Sequence, residues 1–178
     1  MTMVGRRAIV GAFLGISLAV ACTPKARPTS ADHGVATSET WVELSKFGTR
    51  VQVPPGWQFA QKSDVIASFS KDGRGGFSMA GASSKADAKE QLAIGLQELD
   101  IELGLARGAP HDIEVHGIVF ARQDFEATVH GERAHVVVLA ADAPPKGKGI
   151  VVFIGYAFAG DEPRREGLRA SIASLTPG

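Results

Sequence analysis

The side chains best suited to chemistry lie along one segment in the second half of the chain. Asp124, Glu126 and His130 fall on one side of an alternating pattern, and His135 follows a short turn. Imidazole nitrogens and carboxylate oxygens are common ligands of divalent metals. One interpretation is therefore a small metal-dependent hydrolase that uses the face formed by His130 and His135. The other is a solvated strand face with charge pairs between strands, and the sequence alone assigns no catalytic, cofactor-binding or metal-binding residue.

Patterns for a nucleophile or a phosphate site favour structural roles instead. Ser68 and Lys71 have the spacing of Ser–Lys nucleophile sites, which need a helix that places both side chains on one face. On an alternating strand, a separation of three residues sends them to opposite faces. The glycine-rich residues 73–76 precede a strand, whereas a phosphate cradle opens into a helix N-terminus. We therefore predict a hairpin turn there and a protein that is not an enzyme.

The candidate metal residues depend on a predicted hairpin for their positions. Residues 118–130 and 133–141 return to a period of two, which is the pattern of half-buried strands. A two-residue turn at Gly131-Glu132 joins them, and this turn pairs His130 with Arg133. One face of the predicted hairpin is apolar and the other carries the titratable side chains.

The remaining elements follow from hydrophobic periodicity and from turn residues. Ser84 and Asp87 form a capping-box-like helix start, and leucines recur at helical spacing as far as Leu103. The other predicted elements are two short strands within residues 41–53, a Pro-Pro-Gly stop at 54–56, a hairpin over 65–83, a helix over 84–104, a strand apolar on both faces at 150–158 and a helix over 161–175.

These elements predict one α+β domain over residues 41–178. Its core is an antiparallel sheet of about seven strands covered by two helices, because a strand that is apolar on both faces needs cover on both sides. The chain has 19 Lys and Arg against 19 Asp and Glu. This balance gives no clustered basic excess, so we predict no nucleic-acid partner.

The N-terminal segment has the pattern of a targeting signal. Arg6 and Arg7 precede an apolar run from Ala8 to Ala21. A membrane-spanning helix needs about 20 apolar residues, whereas the apolar region of a secretory signal needs about 7–15. We therefore predict a signal peptide over residues 1–21, which is absent from the mature protein.

The single cysteine of the chain, Cys22, directly follows that run, and the small residues Ala19 and Ala21 precede it. This arrangement resembles the lipobox of bacterial lipoproteins. The resemblance implies cleavage between Ala21 and Cys22, a diacylglycerol thioether on the cysteine sulfur and an acyl chain such as palmitate on the new amino group. The alternative is an ordinary secretory signal that leaves Cys22 as a free thiol. A lone cysteine also excludes an intramolecular disulfide.

The residues after the cysteine predict a tether and a location. Residues 22–40 are rich in Pro, Ser, Thr and Ala and lack Leu, Ile and aromatic residues, so we predict a flexible tether with a reach of roughly 23 Å. Lipoproteins that stay in the inner membrane of Gram-negative bacteria commonly have Asp after the cysteine. The resemblance therefore implies that Thr23 sends the protein to the outer membrane in such a host.

The order of elements, together with the Val53-Pro54-Pro55-Gly56-Trp57 turn, resembles the PsbP-like family, which includes the DcrB-like lipoproteins. The resemblance covers roughly residues 41–176. It implies an α/β/α sandwich and a non-enzymatic module of the cell envelope that binds a protein partner or assists assembly, without a cofactor. A further alternative is a small-ligand carrier with a pocket between the sheet and a helix.

Overall fold

The computed structural model describes residues 32–38, 40–62, 64–144 and 148–178. The strands are β1 (Asp32–Val35), β2 (Trp41–Leu44), β3 (Thr49–Gln52), β4 (Gln58–Lys62), β5 (Val65–Phe69), β6 (Gly75–Ala82), β7 (Ile101–Val115), β8 (Ile118–Val129), β9 (Glu132–Asp142), β10 (Ile150–Phe158) and β11 (Thr176–Pro177). The helices are α1 (Lys85–Glu98) and α2 (Glu162–Ser174), and a 3-10 turn at Ser45–Phe47 joins β2 to β3.

The strands form two sheets. The large sheet has eight strands in the order β1-β4-β5-β6-β10-β9-β8-β7, and all of its neighbours are antiparallel. A small sheet has the order β11-β3-β2. The predicted fold class, an antiparallel sheet with two helices, is confirmed. The strand count differs, because β1, β4, β7 and β11 were not predicted and because β2 and β3 pair in the small sheet rather than in the large one.

Strand β10 lies between β6 and β9, and every residue of it is buried. On one face, Leu92 and Leu96 of α1 pack in a core cluster with Ile154. On the other face, Leu168 of α2 packs in a second cluster with Phe153 and with residues of the small sheet. This confirms the prediction that the apolar strand is central and needs cover on both faces.

Side-chain caps fix where both helices begin. The Ser84 hydroxyl accepts a hydrogen bond from the Asp87 amide at 3.2 Å, as the capping pattern predicted. Asp161 caps α2 in the same way by accepting from the Arg164 amide at 3.3 Å. In the turn before β4, Trp57 is buried in the cluster beneath α2, and its ring centroid lies 6.4 Å from that of Phe77. Trp57 therefore fills the core.

The predicted tether is wrong in its last part. Residues Asp32–Val35 form β1, which pairs with β4 at the edge of the large sheet. The Ala36 amide then donates to the Trp57 carbonyl at 2.7 Å, and Ala36 is buried. The composition of residues 22–40 does not predict this strand, because main-chain hydrogen bonds to β4, rather than apolar side chains, stabilise it. The described domain therefore begins at residue 32 rather than at 41.

The predicted helix over 84–104 is also too long. It ends at Glu98, and Asp100 adopts the left-handed conformation with φ of 52°. Ile101 then starts β7, a strand of 15 residues. The leucines at 96, 99 and 103 fit a helical period, but Leu99, Ile101 and Leu103 also alternate with a period of two. The reversal at Asp100 selects the second pattern.

The β8–β9 hairpin has a register different from the predicted one. The predicted turn at Gly131-Glu132 is wrong, because Val129 pairs with Glu132 and the turn residues are His130 and Gly131. Both have positive φ, 50° and 78°, as a type I′ hairpin turn requires. The cross-strand partner of each β8 residue is therefore two positions earlier in β9 than predicted. A shift of two keeps the apolar and the titratable side chains on their predicted faces of the hairpin.

Helix α2 approaches the sheet closely at Gly155 of β10. A β-carbon at this position would collide with the Leu168 side chain, which is itself fully buried. The absence of a side chain at Gly155 therefore sets the distance between α2 and the sheet.

We expect Gly155→Ala to lower the free energy of unfolding by about 1–3 kcal/mol through overpacking, and Leu168→Ala to lower it by about 2–5 kcal/mol through a cavity. The double variant should lose less than the sum, because the shorter side chain makes room for the new methyl group. Urea unfolding of the three variants measures this. Strict additivity would contradict the proposed contact.

Candidate functional site

The residues predicted for lipidation and signal cleavage, Ala21, Cys22 and Thr23, lie outside the described residues. Lipidation and export therefore stay predictions from the sequence. Within the part of the chain that the structure describes, no helix is long and apolar enough to cross a membrane.

The two histidines of the predicted metal face do not share a site. His130 lies in the β8–β9 turn, where its Nδ1 contacts Asp100 Oδ2 at 2.8 Å. His135 lies in β9, where its Nε2 contacts Asp124 Oδ1 at 3.0 Å. Across residues 32–38, 40–62, 64–144 and 148–178, no group of three or more His, Cys, Asp or Glu side chains could hold a metal ion. The metal interpretation of the His130/His135 face is therefore wrong in its geometry.

Instead, Asp124 joins His135 to an arginine on its own strand. Arg122 donates to the Asp124 carboxylate through two nitrogens, at 2.7 and 2.8 Å. Only 13% of the Asp124 side chain and 20% of the His135 side chain are exposed. A bidentate guanidinium pair with a third donor is a rigid arrangement, so these three residues keep fixed positions on the sheet face beside α2.

This network determines the ionisation of Asp124. Burial opposes the charged form, but the hydrogen bonds from Arg122 and His135 outweigh it, and the pKa of the Asp124 carboxyl lies well below its usual range. The hydrogen bond to Asp124 likewise raises the pKa of Arg122. The pair is therefore ionised throughout the neutral range.

The Arg122 network borders a cleft between α2 and the end of the large sheet formed by β7, β8 and β9. The cleft has a volume of about 460 Å³, which is within the usual range of small-molecule sites. Its apolar lining comes from both sides of the cleft: Ile113, Val115, Val137, Leu168, Ile172 and Ala173. The cleft therefore lies where α2 no longer covers the sheet completely.

The same cleft is lined by five basic side chains, which come from β7, β8, β9 and α2. They are Arg107, Arg122, His135, Arg165 and Arg169, and we call this site the arginine cleft. Glu114 is the acidic side chain of the lining. Four guanidinium groups at one concave surface indicate recognition of an anionic group.

The sequence pointed to Asp124 and His135 on the β8–β9 hairpin and not to the arginines of the arginine cleft. Arg107 lies just beyond the helix predicted over 84–104, and the structure places it in a bulged part of β7. Arg165 and Arg169 are spaced by four residues on the C-terminal helix, which puts them on one helix face. That spacing was an available signal, but only the packing of α2 shows which face meets the sheet.

A second ionic cluster joins the β5–β6 turn to α2. Arg164 contacts Asp72 at 2.6 Å, and the Ser70 hydroxyl lies 2.7 Å from the same carboxylate. These bonds hold the pKa of Asp72 well below its usual range. Burial, with a smaller effect of the Asp72 charge, raises the pKa of Tyr156 to about 12, and its hydroxyl donates to the Gly73 carbonyl at 2.9 Å. The β5–β6 connection is therefore a hairpin turn, as predicted, although Gly75 and Gly76 already belong to β6. The contact between Asp72 and Arg164 attaches this turn to α2.

The fold and the site together define the class of this protein: an α+β domain built on an antiparallel sheet, with an arginine-lined cleft beneath its C-terminal helix. No family model matches the sequence, and no curated protein matches it.

Several solved structures are similar to this chain at low sequence identity. A protein from Bacteroides thetaiotaomicron VPI-5482 matches 74% of the chain with 13% identity and a TM-score of 0.45, and the chain spans 45% of that protein. PsbP (CyanoP) from Synechocystis sp. PCC 6803 matches 89% of the chain and 99% of its own length, with 12% identity and a TM-score of 0.41. LpqN, involved in cell envelope biogenesis of Mycobacterium tuberculosis, matches 84% of the chain and 85% of its own length, with 15% identity and a TM-score of 0.37. None of the three is similar enough to assign a function to this chain.

We expect Asp124→Asn to lower the free energy of unfolding at pH 7 by about 1–3 kcal/mol, because the charged acceptor for Arg122 and His135 is lost. The folded-state pKa of Asp124 lies below the unfolded value of about 3.9. Its contribution to stability is therefore complete above that value and is lost as the pH falls through the folded pKa. Urea unfolding between pH 7 and pH 2.5 measures this effect.

The deficit of the variant should shrink below about pH 4. Glu126→Gln is the matched control, because the Glu126 carboxylate lies on the same strand face but is 46% exposed, and it should leave stability close to that of the natural protein. A deficit of Asp124→Asn that stays constant down to the lowest pH would show that its charge is not what stabilises the fold.

Proposed function

We propose that the chain is a lipid-anchored protein of the cell envelope, of non-enzymatic type, that binds a protein partner or assists envelope assembly. The observation that carries the proposal is the position of the single cysteine. Cys22 directly follows an apolar run of signal-peptide length, with Ala21 before it and Arg6 and Arg7 at its start. A thioether with two acyl chains gives stable anchoring, which one chain provides only marginally at about 0.8 kcal/mol per buried CH₂.

A second candidate function is a small-ligand carrier, and the arginine cleft favours it. Carriers need a cavity between rigid elements, with apolar walls and a few polar groups that set the orientation of the ligand. The arginine cleft lies between α2 and the sheet and has both kinds of lining. The two candidate functions are compatible, because a lipid anchor would determine where the protein is located and the cleft would determine which ligand it binds.

Cys22→Ser should abolish the lipid anchor. In cells fed an alkyne analogue of palmitate, the natural protein should be labelled and should sediment with membranes. The variant should be unlabelled, unprocessed by the lipoprotein signal peptidase and therefore larger by the length of the signal peptide. Thr23→Ser is the matched control, because it changes a hydroxyl side chain beside Cys22 and leaves the sulfur in place. If Cys22→Ser is still processed and membrane-bound like the natural protein, the anchor proposal fails.

Thr23→Asp tests the predicted location separately in a Gram-negative host. The natural protein should co-fractionate with outer membrane on a sucrose gradient, and the variant should move to the inner-membrane fraction. Both should incorporate the palmitate analogue equally. An unchanged distribution between the two membranes would remove the argument from Thr23 while leaving the argument from Cys22 intact.

A further inference from the structure

The arginine cleft places an apolar surface beside a basic one. Its apolar floor contains Val137, Leu168 and Ile172, which are buried. The accessible part of this floor comes from the half-buried Ile113 and Val115 of β7 and the exposed Ala173 of α2. Beside this floor stand guanidinium groups from the sheet and from the helix. A ligand that satisfies both surfaces needs an apolar part and an acidic part in the same molecule.

The guanidinium groups keep donors available for such a ligand. Their carboxylate partners sit outside the lining: Arg107 contacts Glu126 at 2.8 Å, Arg122 contacts Asp124 at 2.7 Å, Arg165 contacts Glu162 at 3.1 Å, and Arg169 contacts Glu162 at 2.9 Å and Glu166 at 3.2 Å. A guanidinium group has five N–H donors, and these contacts use only part of them. The carboxylates therefore orient the guanidinium groups without saturating them.

Arg165 supplies a more direct observation. Its Nε is buried and has no hydrogen-bond partner among the described residues. A buried donor without an acceptor costs free energy, and most such donors in proteins are satisfied by a partner, a water or a ligand. An acidic oxygen in the arginine cleft would supply the missing acceptor once a rotation of the Arg165 side chain brings Nε to the cleft surface.

We propose that the arginine cleft binds an amphiphilic anion, with its acidic head group at the guanidinium groups and its apolar chain along the floor beneath α2. This assignment rests on the small-ligand carrier function and does not depend on the lipid anchor. The head group is a phosphate or a carboxylate, because both accept paired N–H donors from arginine. The volume of about 460 Å³ suits a head group with a chain of several carbons.

Other ligand classes fit the arginine cleft less well. A divalent metal is repelled by four guanidinium groups and lacks a cluster of ligands there. A neutral apolar molecule would gain no charge-assisted hydrogen bond from the guanidinium groups. A small inorganic anion would leave the accessible part of the apolar floor uncovered and gain nothing from it.

The test is titration calorimetry on the full chain held in phosphatidylcholine nanodiscs, with empty nanodiscs subtracted to remove partitioning into lipid. The probes are octyl phosphate, octanoate, octanol and inorganic phosphate. Octyl phosphate or octanoate should bind at least about tenfold more tightly than octanol and than inorganic phosphate. Should the chain prove to be unanchored, the same titration is carried out in solution.

Two variants locate the site. Arg165→Gln with Arg169→Gln should weaken binding of the acidic probe by at least about tenfold, and Ala173→Phe should weaken it by filling the cleft. Arg133→Gln is the matched control, because its side chain is 84% exposed and does not line the cleft. It should change the affinity less than about twofold, and thermal melting checks that each variant is folded.

The outcomes distinguish a failure of the carrier function from a failure of the amphiphilic-anion assignment. If none of the four probes binds, the carrier function fails. If octanol or inorganic phosphate binds as tightly as octyl phosphate, or if neither cleft variant weakens binding, the cleft is not a site for an amphiphilic anion. Nanodiscs that contain phosphatidylglycerol identify the source: competition with octyl phosphate indicates a membrane lipid, and its absence indicates a free amphiphile.

Discussion

Strand β10 (Ile150–Phe158) is buried at every position, and both of its faces must therefore be kept from water. Helix α1 covers one face through Leu92 and Leu96. Helix α2 and the small sheet cover the other, where Gly155 lets the Leu168 side chain approach the strand. The burial of one apolar strand thus accounts for the position of both helices and for the separation of β2, β3 and β11 from the main sheet.

The charged residues of the arginine cleft border the part of the sheet that α2 does not cover. Helix α2 packs on the centre of the sheet, and beyond it the exposed face of β8 and β9 turns from apolar to charged. Asp124 is held ionised there by Arg122 and His135, and their rigid pairing keeps a guanidinium group beside the apolar residues under α2. The arginine cleft is therefore a consequence of partial cover: an apolar floor left by the core and a charged rim supplied by the strands and the helix.

Periodicity predicted most of the elements, because side-chain patterns report which faces are buried. The β5–β6 hairpin, the central strand β10, the capped starts of both helices and the buried Trp57 all follow from residue types that act locally. The misses came from interactions that are not local. Main-chain pairing with β4 orders β1, which has no hydrophobic pattern, and a left-handed residue at Asp100 ends a helix whose leucines continue beyond it.

The site was less predictable than the fold for the same reason. Asp124 and His135 were found because they alternate within one hairpin, but they bind different neighbours from those expected, since the turn lies at His130-Gly131. Arg107, Arg165 and Arg169 meet only because α2 packs across the end of the sheet, and no spacing in the sequence links β7 to α2.

The start of β1 changes the geometry of the proposed anchor. Strand β1 begins at Asp32, so only residues 23–31 separate it from Cys22. A fully extended chain of nine residues spans at most about 32 Å, against about 65 Å for the eighteen residues 23–40 of the predicted tether. An anchored domain would therefore stay closer to the bilayer than a tether ending at residue 40 allows. The arginine cleft lies toward the opposite edge of the large sheet from β1, at β7, β8 and β9. Anchor and cleft would therefore have separate roles: the anchor would keep the domain near the bilayer, and the guanidinium groups would select the charge of the ligand.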